Sequence, residues 1–354
     1  MTVTIVPAAN TLDDWRSVYW GADFQLSRSA IESINRGVAA VQAIIDRNVA
    51  VYGINTGFGK LASVRIADVD LATLQRNLVL SHSVGVGELL EPNVVRLIAA
   101  IKVASLCQGA SGARLSTIEM IVNVIAAGLI PAVPAQGSVG ASGDLAPLAH
   151  FVCALMGEGE FLVDGKAVPA GKVLQDNGFE PLVLGAKEGL ALLNGTQVST
   201  GLALKGLFET ERAFQSSLIS GAMALDGFKG TRVPFDARIH ALRPHAGQVD
   251  VAASLWTLME GSEILASHKG QTRVQDPYSF RCMPQVLGSC LDSLRHAAGV
   301  LALEAKSVSD NPLIFDNGDV ISGGNFHAEP TAFAADIIAL ATVEIGSISE
   351  RRGT

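Results

Sequence analysis

Residues Gly137 to His150 read GSVGASGDLAPLAH. The first half is almost bare of side chains, and Pro131 and Pro134 stand just ahead of it. Glycine loses more backbone freedom on folding than any other residue, so a glycine-rich loop is expensive where Ser and Asp would serve. The backbone itself is what this segment is built around. One reading is a glycine turn that opens a helix, and composition alone favours it. The other reading is chemical. With no bulk in the way, the Gly143 amide nitrogen can approach the Ala141 carbonyl carbon and close a five-membered ring. Loss of water from Ser142 then leaves an exocyclic methylidene, an electron-poor alkene made from backbone.

The rest of the chain bounds the choice. At 354 residues it is long enough for two domains or one elaborated one. Hydrophobic residues make up 49% and charged residues 17%, which provides a core and argues against disorder. Lys and Arg number 26 against 34 Asp and Glu, a net charge of −8, with no basic run. That argues against a nucleic-acid partner. Cys107, Cys153, Cys282 and Cys290 lie far apart and read as buried reduced thiols. The N-terminus lacks a signal-peptide pattern. The longest uncharged run, Met120 to Gly143, contains Asn123, two prolines and four glycines, a poor helix in lipid. The expectation is a soluble, cytoplasmic protein without a membrane partner.

Helical periodicity dominates. Ser29 and Glu32 have the spacing of a capping box, followed by the apolar stripe Ile31, Ile34, Val38, Val41 and Ile45. Glu91 to Gly128 reads as helix with breaks, and Thr200 to Ala224 and Asp250 to Ala266 read as helices. Leu287, Cys290, Leu291, Leu294, Ala298 and Leu301 mark another, stopped by the Ser309–Pro312 segment SDNP. Asp164-Gly165 and Asn317-Gly318 are hairpin signals. The fold class is mainly α, with small β-hairpins on loops. The final stretch, FAADIIALATVEIGSISERRGT, reads as a long amphipathic helix that stops with nothing after it to pack on.

Common site motifs fail. Neither Ser138 nor Ser142 sits in a G-x-S-x-G frame, no G-x-x-x-x-G-K-[ST] occurs, and Gly85 to Glu88 lacks the third glycine of a dinucleotide fingerprint. His240 and His245 are five apart with no acidic partner at metal spacing. No metal, nucleotide or flavin site is legible.

The 137–150 segment resembles the signature of the aromatic amino acid ammonia-lyases and aminomutases, whose Ala-Ser-Gly triad forms the ring described above. YGINTGFG (Tyr52–Gly59), LLNGTQ (Leu192–Gln197), VQDPYSFRC (Val274–Cys282) and SDNPLIF…GGNFHAEP (Ser309–Pro330) resemble further family blocks in the family's order. Five ordered blocks outweigh the plain-turn reading. The resemblance implies a long-helix bundle of the ammonia-lyase (fumarase/aspartase-like) type. It implies a 4-methylidene-imidazol-5-one made from Ala141, Ser142 and Gly143, and assembly as a homotetramer with shared sites.

By the same resemblance Tyr52 is the general base. A phenol titrates near ~10 unperturbed, so it needs neighbouring dipoles or cations to serve near neutrality. Arg281 is the clamp for the substrate carboxylate, its planar fork suited to a bidentate pair. Tyr278 acts at the reacting centre, and Asn194 bonds the prosthetic ring and substrate. Asp144 and Gln275 orient these groups, and Phe326 lines the pocket. Ser81-His82 resembles the pair in the family's histidine-directed members, where other members carry His-Leu or Phe-Leu. An imidazole substrate offers a polar edge that His82 can meet, which implies L-histidine as substrate and trans-urocanate and ammonia as products. His150, His240, His245, His268, His296 and His327 are left as structural. The resemblance places one domain over 1–110, carrying Tyr52 and His82, and another over 111–354, carrying the loop. Family chains continue well beyond SERR, so C-terminal truncation is expected. A tyrosine- or phenylalanine-directed lyase or aminomutase, or an inactive fragment, are the alternatives.

Overall fold

The structure, a computed structural model, describes residues 1–47, 51, 53–56, 66–268 and 274–353. It divides into two compact units, Met1–Leu202 with Leu301–Ala332, and Ala203–Val300 with Phe333–Thr354. The domain boundary expected near residue 110 falls inside the first unit.

The first unit opens with β1 (Thr2–Ile5), α1 (Leu12–Tyr19) and β2 (Asp23–Leu26), the two strands pairing in parallel. Next comes α2 (Arg28–Asp46). Its N-cap is Ser27, whose Oγ accepts the Ala30 amide at 3.1 Å. The capping box expected at Ser29 and Glu32 is therefore not formed. Starting the helix at Arg28 commits the Glu32 amide to the helical ladder, and the Glu32 carboxylate meets Arg28 at 3.4 Å instead. The buried face is Ala30, Ile34, Gly37, Val41 and Ile44, while Ile31, Val38 and Ile45 sit half-buried at its edge.

A 3-10 turn leads into α3 (Leu71–His82), followed by β3 (Val86–Leu89), α4 (Pro92–Leu106) and α5 (Leu115–Ala126). The expected broken helix over Glu91–Gly128 is this α4–α5 pair. From Val94 to Leu106 every α4 residue except Arg96 is buried, as in a central helix wrapped on all sides. β4 (Ile130–Pro131) and β5 (Pro134–Gln136) follow. β5 pairs with β3, and β4 joins the hairpin β6 (Glu160–Val163)–β7 (Lys166–Pro169) in the order β4-β6-β7. Asp164 and Gly165 turn that hairpin with φ of 50° and 75°, as the Asp-Gly signal predicts. α6 (Leu145–Leu155), α7 (Ala170–Asp176), α8 (Glu188–Leu193) and the first turns of α9 (Gln197–Gly227) complete the layer. The returning segment adds the small hairpin β8 (Leu313–Ile314)–β9 (Val320–Ile321) around Asn317-Gly318.

The second unit holds the rest of α9, then α10 (Ala237–Ala241), α11 (Ala246–Leu258), α12 (Glu263–Ser267) and α13 (Tyr278–Arg281). Most of α14 (Met283–Glu304) and α15 (Glu329–Glu350) also belong to it. The single helix expected over Asp250–Ala266 is two helices. Gly261 turns the chain at φ +75°, and the Ser262 hydroxyl then caps α12 by accepting the Leu265 amide. Leu287, Cys290, Leu294 and Leu301 are buried along α14, as their spacing predicts. The uncharged run from Met120 ends as helix at Ala126; among the described residues α14 and α15 are long and apolar enough to cross a membrane by length and composition.

Candidate active site

The 137–144 loop is held from four directions, all within the first unit. At its entrance, Gly137 lies against Gly85, in the turn that follows His82 at the end of α3. The Gly140 carbonyl accepts the Ala328 amide at 3.0 Å, which ties the loop to the segment carrying half-buried Phe326. Gly143 has φ +79°, and a Cβ there would stand 2.7 Å from the Gly195 carbonyl oxygen. Only glycine meets both demands. Asp144 anchors the exit.

Asp144 is fully buried. Its Oδ1 accepts the hydroxyls of Ser138 and Ser199, each at 2.6 Å. Its Oδ2 accepts the amides of Val198 and Ser199, each at 2.8 Å. All four partners donate, the pattern of an ionised carboxylate. Two of them are free amides in the first turn of α9, so Asp144 caps that helix from outside the helix's own sequence and meets its positive end. The Asp144 amide in turn donates to the Gly195 carbonyl at 2.7 Å.

Between these fixed ends Ala141 and Ser142 are exposed, while Gly143 is buried. Ala141 and Gly143 form an isolated backbone bridge across Ser142. The Gly143 amide donates to Gly140 at 3.3 Å, longer than the usual 2.9–3.0 Å and so weakly committed. The Asn194 side-chain amide donates to the Ser142 carbonyl oxygen at 2.8 Å.

Asn194 is delivered by α8, a fully buried six-residue helix. Its N-terminus is fixed by two charges. Lys187 pairs with Asp310 at 2.8 Å, both out of solvent, and Ser111 donates to the other Asp310 oxygen. Glu188 accepts from Arg114, Thr117 and the Gly185 amide. At the far end Asn194 caps α8 in extended conformation. Two groups beyond it join the LLNGTQ and SDNP segments: the Thr196 amide and the Gln197 side chain both donate to Ser309 Oγ.

His82 ends α3 half-buried, its Nδ1 2.8 Å from the Leu78 carbonyl. A carbonyl only accepts, so Nδ1 carries the proton and a neutral ring leaves Nε2 as an acceptor. The Ser83 hydroxyl, next in sequence, bonds the Val79 carbonyl and lies 3.0 Å from Cys153 Sγ. His150, expected to be structural, accepts the Gly85 amide at 3.0 Å, and burial holds its pKa below the ordinary value.

The second unit carries Gln275 just ahead of α13 and Tyr278 and Arg281 as the first and last residues of that helix. Gln275 is exposed, as is Tyr278 at 70%. The Arg281 guanidinium carbon lies 4.2 Å from the centre of the Tyr278 ring, which fixes both side chains by a cation–π contact. Tyr52 lies outside the described residues; the neighbouring Asn55 and Thr56 are buried.

Sequence reading missed Ser138 and Ser199 as partners of Asp144, and the buried Lys102. The last had a signal. Lys102 is a lone charge in the apolar run Leu97–Leu106, and a lysine on an all-apolar helix has to find a partner inside.

The model of the aromatic amino acid lyase family matches residues 10–354. Among solved structures, the chain is similar to histidine ammonia-lyase from Trypanosoma cruzi, with 37% identity and a TM-score of 0.90 over 99% of this chain and 67% of that one. It is similar to tyrosine aminomutase from Streptomyces globisporus, with 34% identity and a TM-score of 0.94 over 99% of this chain and 70% of that one. Phenylalanine ammonia-lyase from Rhodosporidium toruloides matches with 28% identity and a TM-score of 0.84 over 98% of this chain and 52% of that one. The mainly helical bundle expected from the sequence is the fold these chains share. The chain belongs to the aromatic amino acid lyase family, a family of carbon–nitrogen lyases.

Proposed function

We propose that the protein eliminates ammonia from L-histidine to give trans-urocanate, using a 4-methylidene-imidazol-5-one formed from Ala141, Ser142 and Gly143. The loop geometry fits that group. The Gly143 amide that must reach the Ala141 carbonyl carbon is weakly bonded, a side chain at 143 is excluded, and Ser142 is open to a ligand. When formed, the group supplies an electrophile that draws electrons from the amino group or ring of a bound amino acid.

The observation that carries the reading is the hydrogen bond from Asn194 to the Ser142 carbonyl. That oxygen is the ring carbonyl of the closed heterocycle, conjugated with its methylidene. A preorganised donor aimed there stabilises negative charge where it develops. Asp144 keeps the loop fixed while this happens, since it reaches both the loop and α9. Arg281 holds the substrate carboxylate, with Tyr278 beside it. The β-proton goes to Tyr52 as the carbon–nitrogen bond breaks.

For the substrate, His82 supports histidine. With Nδ1–H spent on Leu78, its Nε2 can accept the N–H of a substrate imidazole. A phenyl ring has no such donor and would leave Nε2 desolvated, about 1–3 kcal/mol less favourable. A homotetramer and a cytoplasmic location belong to the same proposal. The test is turnover by the purified protein with L-histidine, L-tyrosine and L-phenylalanine, followed by absorbance. Urocanate supports the reading. Coumarate, cinnamate or a β-amino acid replaces the substrate and keeps the family chemistry. Silence with all three leaves a non-catalytic chain.

A further inference from the structure

Lys102 lies in the middle of α4 at 1% exposure. Its Nζ donates to the Asn194 backbone carbonyl at 2.8 Å and to Gln197 Oε1 at 3.3 Å. Among the described residues no carboxylate forms an ion pair with it, although Asp310 and Asp144 act on it through space and Lys187 opposes them. Burial pushes it down to about 7. Ammonium and free amine alike have a proton for Asn194.

The contact falls on a joint. Asn194 ends α8 in extended backbone, and Gly195 follows at φ +142°, where glycine leaves the peptide between them free to rotate. Two neighbouring groups are already held: the Gly195 carbonyl by Asp144, and the Thr196 amide by Ser309. The Asn194 carbonyl is held by Lys102. Letting that carbonyl go would free the end of α8 to shift at the Asn194 Cα, from which the side chain reaches the reactive loop through its bond to Ser142.

We infer that Lys102 is a positioning residue: by holding the Asn194 carbonyl across the α8–α9 joint, it aims the Asn194 amide at the Ser142 carbonyl. The inference rests on the proposed role of the 141–143 loop. A lysine serves here because it is long enough to cross from the core of α4 and ends in a donor that can serve two acceptors at once.

The test compares Lys102→Met, which nearly keeps the length and removes the donor, with Lys102→Gln, which carries a donor one bond closer to the backbone. Both are also made in an Asn194→Ala background. For L-histidine, Lys102→Met should lower kcat about tenfold or more with KM changed less than about threefold, the signature of a contact that matters in the transition state. Lys102→Gln, whose donor falls one bond short, should recover part of the loss. In the Asn194→Ala background the lysine change should have almost no further effect. The loop peptide should still lack the mass of two waters in Lys102→Met, which separates aiming from ring formation. A folded Lys102→Met with wild-type kcat, equal losses in both backgrounds, or failure of both substitutions to fold would overturn the inference. If the unmodified protein turns over no aromatic amino acid, the underlying reading fails instead. The crystal structure of Lys102→Met then decides: an Asn194 amide displaced from Ser142 supports the positioning role, and an unmoved one overturns it.

Discussion

The Asn194 side-chain nitrogen stands 2.8 Å from the Ser142 carbonyl oxygen, 52 residues away in sequence. It joins a buried helix end to an exposed loop. Replacing Asn194 by Ala removes the donor with little loss of packed volume. By analogy with other single oxyanion donors, kcat should fall about 10²–10³-fold. Steady-state kinetics on a variant with an unchanged circular-dichroism spectrum measures this; a loss under threefold would remove Asn194 from the chemistry.

Asp144→Ala strips four donors of one acceptor and uncaps α9. Each donor left buried and unpaired is unfavourable, and the sum should be about 3–5 kcal/mol. Denaturant unfolding reads it as a lowered midpoint. Asp144→Asn should lose less, because its carbonyl oxygen keeps part of the network.

Gly143→Ala meets both a left-handed backbone and the Gly195 carbonyl. The expected outcome is a loop that shifts, a stability loss of about 1–3 kcal/mol, and no ring closure. Mass analysis of the loop peptide should return the full linear mass, and turnover should vanish.

Lys102 gives the stability a pH dependence of definite sign. Its folded value of about 7 lies below the 10.5 of an unperturbed lysine, so the folded chain binds fewer protons between those limits. The penalty of burying the charge is therefore fully present below about pH 7 and is relieved as pH rises toward 10.5. Lys102→Met has no group to titrate. The difference in unfolding free energy between variant and wild type should favour the variant most at pH 6 and shrink by pH 9. A difference independent of pH would mean the lysine titrates normally.

His82→Leu should reduce kcat/KM for L-histidine by about 10–100-fold, the equivalent of about 1–3 kcal/mol. It should spare or improve a phenyl substrate. Equal losses on both would take selectivity away from His82.

Much of the scaffold was legible because its cues are local. Asp164-Gly165 specifies its hairpin by turn chemistry alone, and the α14 stripe is set by helical period. The cap of α2 was misread because Ser27 and Ser29 carry the same side chain, and only the end of β2 decides which one is extended. The parallel pairing of β1 with β2 left no pattern in four-residue strands. At the site, the loop, Asp144 and Asn194 were legible as residues, but their wiring was not. Lys102 meets Asn194 across 92 positions and Ser111 meets Asp310 across 199, and no local pattern encodes such pairs.

The most direct measurement is the mass of the peptide spanning Gly137 to His150, released by proteolysis of the purified protein. Condensation of Ala141, Ser142 and Gly143 predicts a mass lower than the sequence by two waters. A peptide at its full linear mass would contradict the account.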